Sequence, residues 1–256
     1  MPGEPSTKRK SMQRKSLPTT TFINNMPAMM KKCLFLLLAV CMAFTADAQS
    51  ATDTLRHEVL LNTTLGDIRI VLYNETPKHR DNFLRMVRKK LYDGVLFHRV
   101  IKDFMIQTGD LATRKPGKRL VPAPPKTQIP AEIVFPQYYH KRGAVAAARE
   151  DDNVNPKKAS SSTDFYIVWG RQLHESQIDY FQHRLDTLTG GKVQLTPEIR
   201  ETYNKLGGTP FLDGRYTVFG EVVEGMDVVE KIQLAETGAA DKPKEEIRII
   251  KATVVK

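Results

Sequence analysis

Cysteine is almost missing from this sequence. The only two, Cys33 and Cys41, sit in a short apolar run near the amino terminus, and none follows residue 48. A domain built from the remainder has no disulfide, no thiolate nucleophile and no thiolate-held metal. His57, His79, His140, His174 and His183 show no HExxH or paired-ligand spacing. No metal site is therefore expected. Long hydrophobic runs are missing too. The longest, Cys33 to Phe44, is about a dozen residues, short of the roughly 20 that a spanning helix needs. No repeat of fixed period occurs. The net charge of +10 is half carried by residues 1–48, through Lys8, Arg9, Lys10, Arg14, Lys15, Lys31 and Lys32 against Glu4 and Asp47. What remains is a mildly basic domain with a solvated surface, and no nucleic-acid partner is expected.

What is present begins with a leader. Met29-Met30-Lys31-Lys32 precedes the apolar run, and Thr45-Ala46-Asp47-Ala48 follows it. A basic start, a short apolar stretch and an Ala-x-Ala exit are the order of a secretory signal peptide. Residues 29–48 are read as that peptide, cleaved after Ala48. The alternatives are an uncleaved anchor, or lipidation at Cys41, where Val40 stands in place of a small residue. Residues 1–28 are a polar, basic extension or the product of an upstream start. The expected location is periplasmic or secreted, with membrane contact only through the transient leader.

The chain of 256 residues allows one or two domains. Residues 57–256 read as one. Ile68, Ile70 and Leu72 alternate on one face of a half-buried strand, joined to Val59–Thr63 as a hairpin through Leu65-Gly66. Thr76-Pro77 opens a helix with Thr76 as its cap, and Phe83, Leu84, Val87 and Leu91 line one face. Asp93-Gly94 stops it. Strands follow at Val95–Val100, continued at Phe104–Gln107 after Lys102-Asp103, at the small-residue run Gly143–Arg149, at Phe165–Trp169, at Thr217–Val223 and at Ile247–Val255. Residues 111–130 form a long loop. Met226 to Leu234 is a short helix. Residues 171–209 break the β rhythm. Ile178, Phe181, Leu185 and Leu188 keep helical spacing up to Gly190-Gly191, and Ile199, Tyr203 and Leu206 do so after Thr196-Pro197. Roughly forty residues are few for a core of their own, so this stretch is a helical insert rather than a domain.

One segment is more specific than the rest: Phe97-His98-Arg99-Val100-Ile101-Lys102-Asp103-Phe104-Met105-Ile106-Gln107-Thr108-Gly109-Asp110. A second runs from Phe211-Leu212-Asp213-Gly214 through Thr217-Val218-Phe219-Gly220 to Gly225-Met226. A third pairs Gly143–Arg149 with Thr163-Asp164-Phe165-Tyr166-Ile167. In sequence and in order these motifs resemble the cyclophilin-type peptidyl-prolyl cis–trans isomerases over about residues 57–256, apart from the insert and the long loop. The resemblance implies a mainly β fold: a closed eight-stranded antiparallel barrel capped by two helices, with peptide bound on one outer face.

The implied reaction is rotation about an X–Pro bond in unfolded or partly folded proline-containing polypeptides, here exported ones. Amide resonance makes that rotation slow, and no covalent bond need be made, so the resemblance implies no nucleophile, metal or cofactor. As the bond twists, the prolyl nitrogen gains lone-pair density, and a donor there favours the twisted state. By similarity that donor is Arg99, whose planar, permanently charged fork suits it. By similarity Phe104, Met105, Tyr166 and Leu212 form the slot for the proline ring, with Phe211 and Tyr216 as an aromatic wall. Gln107 orients Arg99 or meets the substrate carbonyl. Ala148 and Arg149 offer backbone to the peptide.

Asp164 departs from the family, which has Gln there, and an ionised carboxylate accepts but cannot donate. An ion pair between Asp164 and Arg99 is expected. His98 is expected to face away from the site, and Asp110 and Asp213 to be turn residues. A monomer is expected. The competing reading, favoured by Asp164 and the insert, is a peptide-binding module or holdase with the same barrel and little turnover.

Overall fold

The computed structural model describes residues 55–115, 122, 125 and 127–256. The leader, the extension before it and much of the expected 111–130 loop lie outside the described residues. Ten strands and four helices follow. The strands are β1 (Glu58–Thr63), β2 (Gly66–Leu72), β3 (Arg99–Ile101), β4 (Met105–Thr108), β5 (Gln128–Ile129), β6 (Ala144–Ala147), β7 (Ser160–Ser161), β8 (Phe165–Val168), β9 (Val218–Glu224) and β10 (Ile249–Val254). The helices are α1 (Pro77–Arg88), α2 (Glu175–Thr189), α3 (Pro197–Lys205) and α4 (Met226–Gln233).

Eight strands form one antiparallel sheet in the order β10-β1-β2-β9-β6-β8-β4-β3. Its two ends are drawn together outside the regular ladder. Gly94 N–H donates to Ile249 O, Ile249 N–H to Val95 O, and Phe97 N–H to Ile247 O. The sheet thus curls into the barrel that the motifs imply, with α1 and α4 over it.

Period-2 alternation sorts the side chains. Val59 and Leu61 of β1 stand opposite Ile70 and Ile68 of β2. Ile167 of β8 stands between Ile106 of β4 and Val145 of β6. All of these are fully buried in the barrel interior, with Phe83, Leu84 and Val87 of α1 and Val229 and Ile232 of α4. Phe83 anchors α1 there, its ring 5.0 Å from Phe165 and 5.4 Å from Phe219. Truncating such a ring to Ala costs about 3–5 kcal/mol. The alternate residues Met105, Tyr166, Val168, Ala144 and Ala146 are buried as well, but in a second cluster on the outer face. A strand buried on both sides reads as a continuous apolar run, as Phe165–Val168 does.

Three local expectations change. Thr76 is the N-cap of α1, but its hydroxyl donates to Tyr73 O instead of accepting from the helix. The Glu132 carboxylate does the capping, accepting from Lys78 N–H and His79 N–H at 3.0 Å each. A charged acceptor suits the positive end of the helix better than a hydroxyl. Leu188 and Leu206, expected inward, are 43% and 54% exposed. The insert's apolar seam is narrower, with Ile178 and Leu185 of α2 and Ile199 and Tyr203 of α3 facing one another and the barrel's Phe135 and Tyr139. The insert therefore completes its small core on the barrel.

Candidate functional site

The outer face carries one row of register partners. Arg99 stands opposite Gln107, Gln107 opposite Tyr166, and Tyr166 opposite Ala146. Alternation puts all four on the same side, and Met105 two residues before Gln107 joins them. The β3–β4 hairpin brings Phe104, and the 3-10 turn Pro210–Leu212 brings Leu212. Together with Ala148, Arg149 and Tyr216 these line a cavity of about 240 Å³. Its floor is apolar and buried (Met105, Tyr166, Leu212), and the half-exposed Arg99 lies at its rim.

Nine of the expected site residues thus meet in one place. Two do not line the slot. Phe211 adjoins it on the side of Phe104, its ring 5.4 Å from the Phe104 ring. Asp164 lines a neighbouring polar cavity of about 470 Å³, with Ser161, Glu150 and Thr127. Gln107, Ala148 and Arg149 border both cavities.

The expected Arg99–Asp164 ion pair is replaced by another. Arg99 Nε donates to Asp241 Oδ2 at 3.2 Å. The Asp164 carboxylate accepts instead from Ser161 Oγ at 2.9 Å and Thr163 Oγ1 at 3.3 Å. With Nε engaged, the two terminal amino groups of Arg99 have no hydrogen-bond partner among the described residues. Gln107 is the cross-strand neighbour of Arg99, but their side chains are not hydrogen-bonded to each other. Among the described residues, Asp241 and not Gln107 is the hydrogen-bond partner of the guanidinium.

Arg149 is built into the wall. Its side chain is 1% exposed and lies 2.6 Å from Asp152 Oδ1. Nε donates to Arg215 O at 2.9 Å and Nη1 to Glu150 O at 2.8 Å. The guanidinium lies over the Tyr216 ring, 4.2 Å from its centroid, and so fixes that ring at the cavity edge.

Behind the floor is a buried polar chain. Tyr203 Oη donates to Asp213 Oδ2 at 2.6 Å. Asp213 Oδ1 accepts from His140 N–H at 2.8 Å and from His140 Nδ1 at 2.9 Å. A carboxylate only accepts, so Nδ1 carries a proton, and Nε2, the acceptor in that tautomer of the neutral ring, pairs with Tyr166 Oη at 3.0 Å. Asp213 and His140 are fully buried, and Asp213 is thus more than the expected turn residue. Burial pushes the Tyr166 hydroxyl well above its ordinary pKa, so it stays a neutral donor. Gly208 permits the crossing. At φ +153°, a Cβ there would stand 2.3 Å from His140 O and 2.5 Å from the Tyr203 ring.

Sequence reasoning missed Asp241, His140, Tyr203 and the buried role of Asp213. Asp213 lies inside a motif and was open to discovery there. Asp241 lies in an irregular turn without periodicity. Among the described residues, no group of three His, Cys, Asp or Glu side chains is placed to hold a metal, and no helix is long and apolar enough to cross a membrane.

The slot lining offers no nucleophile and no acid–base pair. It can grip an apolar ring and present positive hydrogen-bond donors beside it, which is the equipment of a conformational catalyst acting on peptide. The chain belongs to the family described as cyclophilin type peptidyl-prolyl cis-trans isomerase/CLD, whose model matches residues 58–254. It is 34% identical over 197 residues to the peptidyl-prolyl cis-trans isomerase cypE of Dictyostelium discoideum, covering 76% of this chain and 96% of that protein. It is 36% identical over 196 residues to a Streptococcus pyogenes protein whose name pairs a phosphatase with a peptidyl-prolyl cis-trans isomerase. That match covers 75% of this chain and 37% of the longer protein. Among solved structures, a Cryptosporidium parvum cyclophilin type peptidyl-prolyl cis-trans isomerase, crystallised in the presence of the dipeptide Ala-Pro, superposes with a TM-score of 0.54. It shares 21% identity, over 78% of this chain and 99% of that one. The protein is a peptidyl-prolyl cis–trans isomerase with a cyclophilin fold.

Proposed function

We propose that Arg99 is the catalytic residue and that the proline ring of the substrate sits over Met105, Tyr166 and Leu212, with Phe104 closing one side. The terminal amino groups of Arg99 then face the prolyl nitrogen. Planar amide nitrogen is a poor acceptor, and twisted nitrogen a good one. A fixed guanidinium therefore binds the twisted state better than either planar isomer, which is the differential binding that lowers a barrier. The observation that carries this reading is the pairing of a guanidinium held, among the described residues, through Nε alone with an apolar slot on the same face. Gln107, register partner of both Arg99 and Tyr166, is placed for the carbonyl of the residue before proline. The backbone of Arg149 borders the slot, and the carboxylate of Asp164 borders the polar cavity beside it.

The natural substrates on this reading are proline-containing polypeptides in unfolded or partly folded states. The Ala-Pro dipeptide with the structural relative supports that class. The basic, apolar and Ala-x-Ala order of residues 29–48 supports action on exported chains in the periplasm or outside the cell, after removal of the leader.

A protease-coupled assay on a short Ala-Pro peptide tests the central assignment. The wild type accelerates the slow phase, and Arg99→Ala loses most of that acceleration at unchanged thermal stability. Full activity in Arg99→Ala would remove Arg99 from the reaction. A wild type that only suppresses aggregation of an unfolded client would make the protein a holdase. Amino-terminal sequencing of the exported protein tests the leader, and retention of residues 26–48 would overturn the proposed location.

A further inference from the structure

The apolar surface does not end at the slot. Phe104, which lines it, has its ring centroid 5.4 Å from Phe211. Phe211 is 5.6 Å from Phe181, and Phe181 is 5.5 Å from Tyr180. Four rings in tilted and edge contact therefore run from the slot onto α2 of the insert. The first three are half-buried, and Tyr180 is 58% exposed.

The packing of α2 does not account for the outer end of this row. Its inward seam is Ile178, Phe181 and Leu185, at the spacing of one helical face, and these meet the insert's own core. Tyr180 is off that seam. Among the described residues its ring meets Phe181 in an edge contact and has the Arg184 guanidinium 6.0 Å from its centroid. A lone exposed ring would call for no explanation. A ring that continues an aromatic row out of a peptide-binding slot is different, because a chain seated in the slot must leave it across the adjoining surface. Three steps of about 5.5 Å make a reach of at most about 16 Å, the span of up to about five extended residues.

We propose that Tyr180 and Phe181 form a second substrate subsite on the insert, which takes an aromatic or large apolar side chain a few residues away from the proline of the same polypeptide. Ring edges and faces left open by tilted pairs accept another ring or an aliphatic group. The occupant is the client chain already held in the slot, since the row is continuous with it. Such a subsite selects unfolded segments, where proline and exposed apolar residues lie close in sequence. The inference rests on the isomerase reading of the slot.

The test is isomerisation measured by NMR exchange on alanine-based peptides of about nine residues. Each holds one proline and one Phe, placed two to five residues away on either side. At one or more placements, Phe is expected to lower KM about threefold to tenfold relative to Ala, the ordinary worth of one aromatic contact. Tyr180→Ala should bring that Phe-to-Ala ratio back to about one, and Tyr180→Phe should keep it. Equal KM at every placement, or a ratio that survives Tyr180→Ala, overturns the subsite. A wild type that turns over none of the peptides, the all-Ala one included, overturns the isomerase reading instead. The substitution is at an exposed helical position, where Ala is a good helix former.

Discussion

The guanidinium of Arg99 is held through its Nε by the carboxylate of Asp241, 142 positions further along the chain, at 3.2 Å. The two side chains are 43% and 45% exposed, so the pair contributes little to stability. Its effect is geometric. Among the described residues it leaves the two terminal amino groups without a hydrogen-bond partner, as the proposed contact with substrate requires. The turn that presents Asp241 has positive φ at Ala240 (56°) and Asp241 (58°), a conformation that Asp and Asn tolerate better than most residues.

Asp241→Asn keeps the turn and weakens the hold on Arg99, whereas Asp241→Ala removes it. Loss of kcat/KM by about twofold for Asn and about fivefold for Ala is expected, within the reach of a half-exposed ion pair. The fall should appear in kcat more than in KM, with the urea midpoint unchanged for Asn and slightly lower for Ala, which tolerates the positive φ less well. Raising salt should lower the wild-type rate toward that of Asp241→Ala. Equal rates in all three proteins would show that Arg99 is oriented without Asp241.

Tyr166 joins the slot floor to the buried chain of His140, Asp213 and Tyr203. Tyr166→Phe keeps the ring but leaves His140 Nε2 without its donor, at a cost of about 1–3 kcal/mol in unfolding free energy. Tyr203→Phe should also destabilise, by leaving Asp213 one donor short. Because both changes act on one chain, their effects in the double variant should fall short of the sum. Strict additivity in urea unfolding would mean that the two hydroxyls act independently.

His79 makes stability depend on pH. Its Nδ1 lies 2.7 Å from Glu132, the same carboxylate that caps α1, and its ring is 2% exposed. Burial lowers its pKa below the ordinary value, against the opposing pull of the Glu132 hydrogen bond. The unfolded chain then binds the proton more readily than the folded one. Stability from this group is therefore full above the unfolded value of about 6.5, and is lost as pH falls from there toward the lower folded value. The urea midpoint should drop between about pH 7.5 and pH 5.5. The drop should be smaller in His79→Gln, and an identical drop in that variant would assign the effect to other groups.

The ladder that carries the site was open to direct reading. Val100, Ile106, Val145 and Ile167 alternate with Arg99, Gln107, Ala146 and Tyr166, and alternation is a local property of extended backbone. The helix at Pro77 and the two helices of the insert were legible for the same reason, from spacing over a few turns. How the helix ends are satisfied was less so. The acceptor for α1 is Glu132, some fifty residues away, and no local pattern announces a cap that arrives from elsewhere.

The sequence by itself therefore determined the strands, the curl they imply, the placing of Arg99 and Gln107 on one face, and the apolar slot beside them. These follow from side-chain periodicity and from motifs read in order. Only the tertiary structure decided which carboxylate meets Arg99. Asp164 is the nearer candidate along the motif. Yet it is drawn to the hydroxyls of Ser161 and Thr163, while Asp241 arrives from the turn before β10. The same holds for Tyr203 reaching Asp213 and for Phe181 reaching Phe211. Such contacts depend on where distant segments close on one another, and the residue types at either end do not encode that distance.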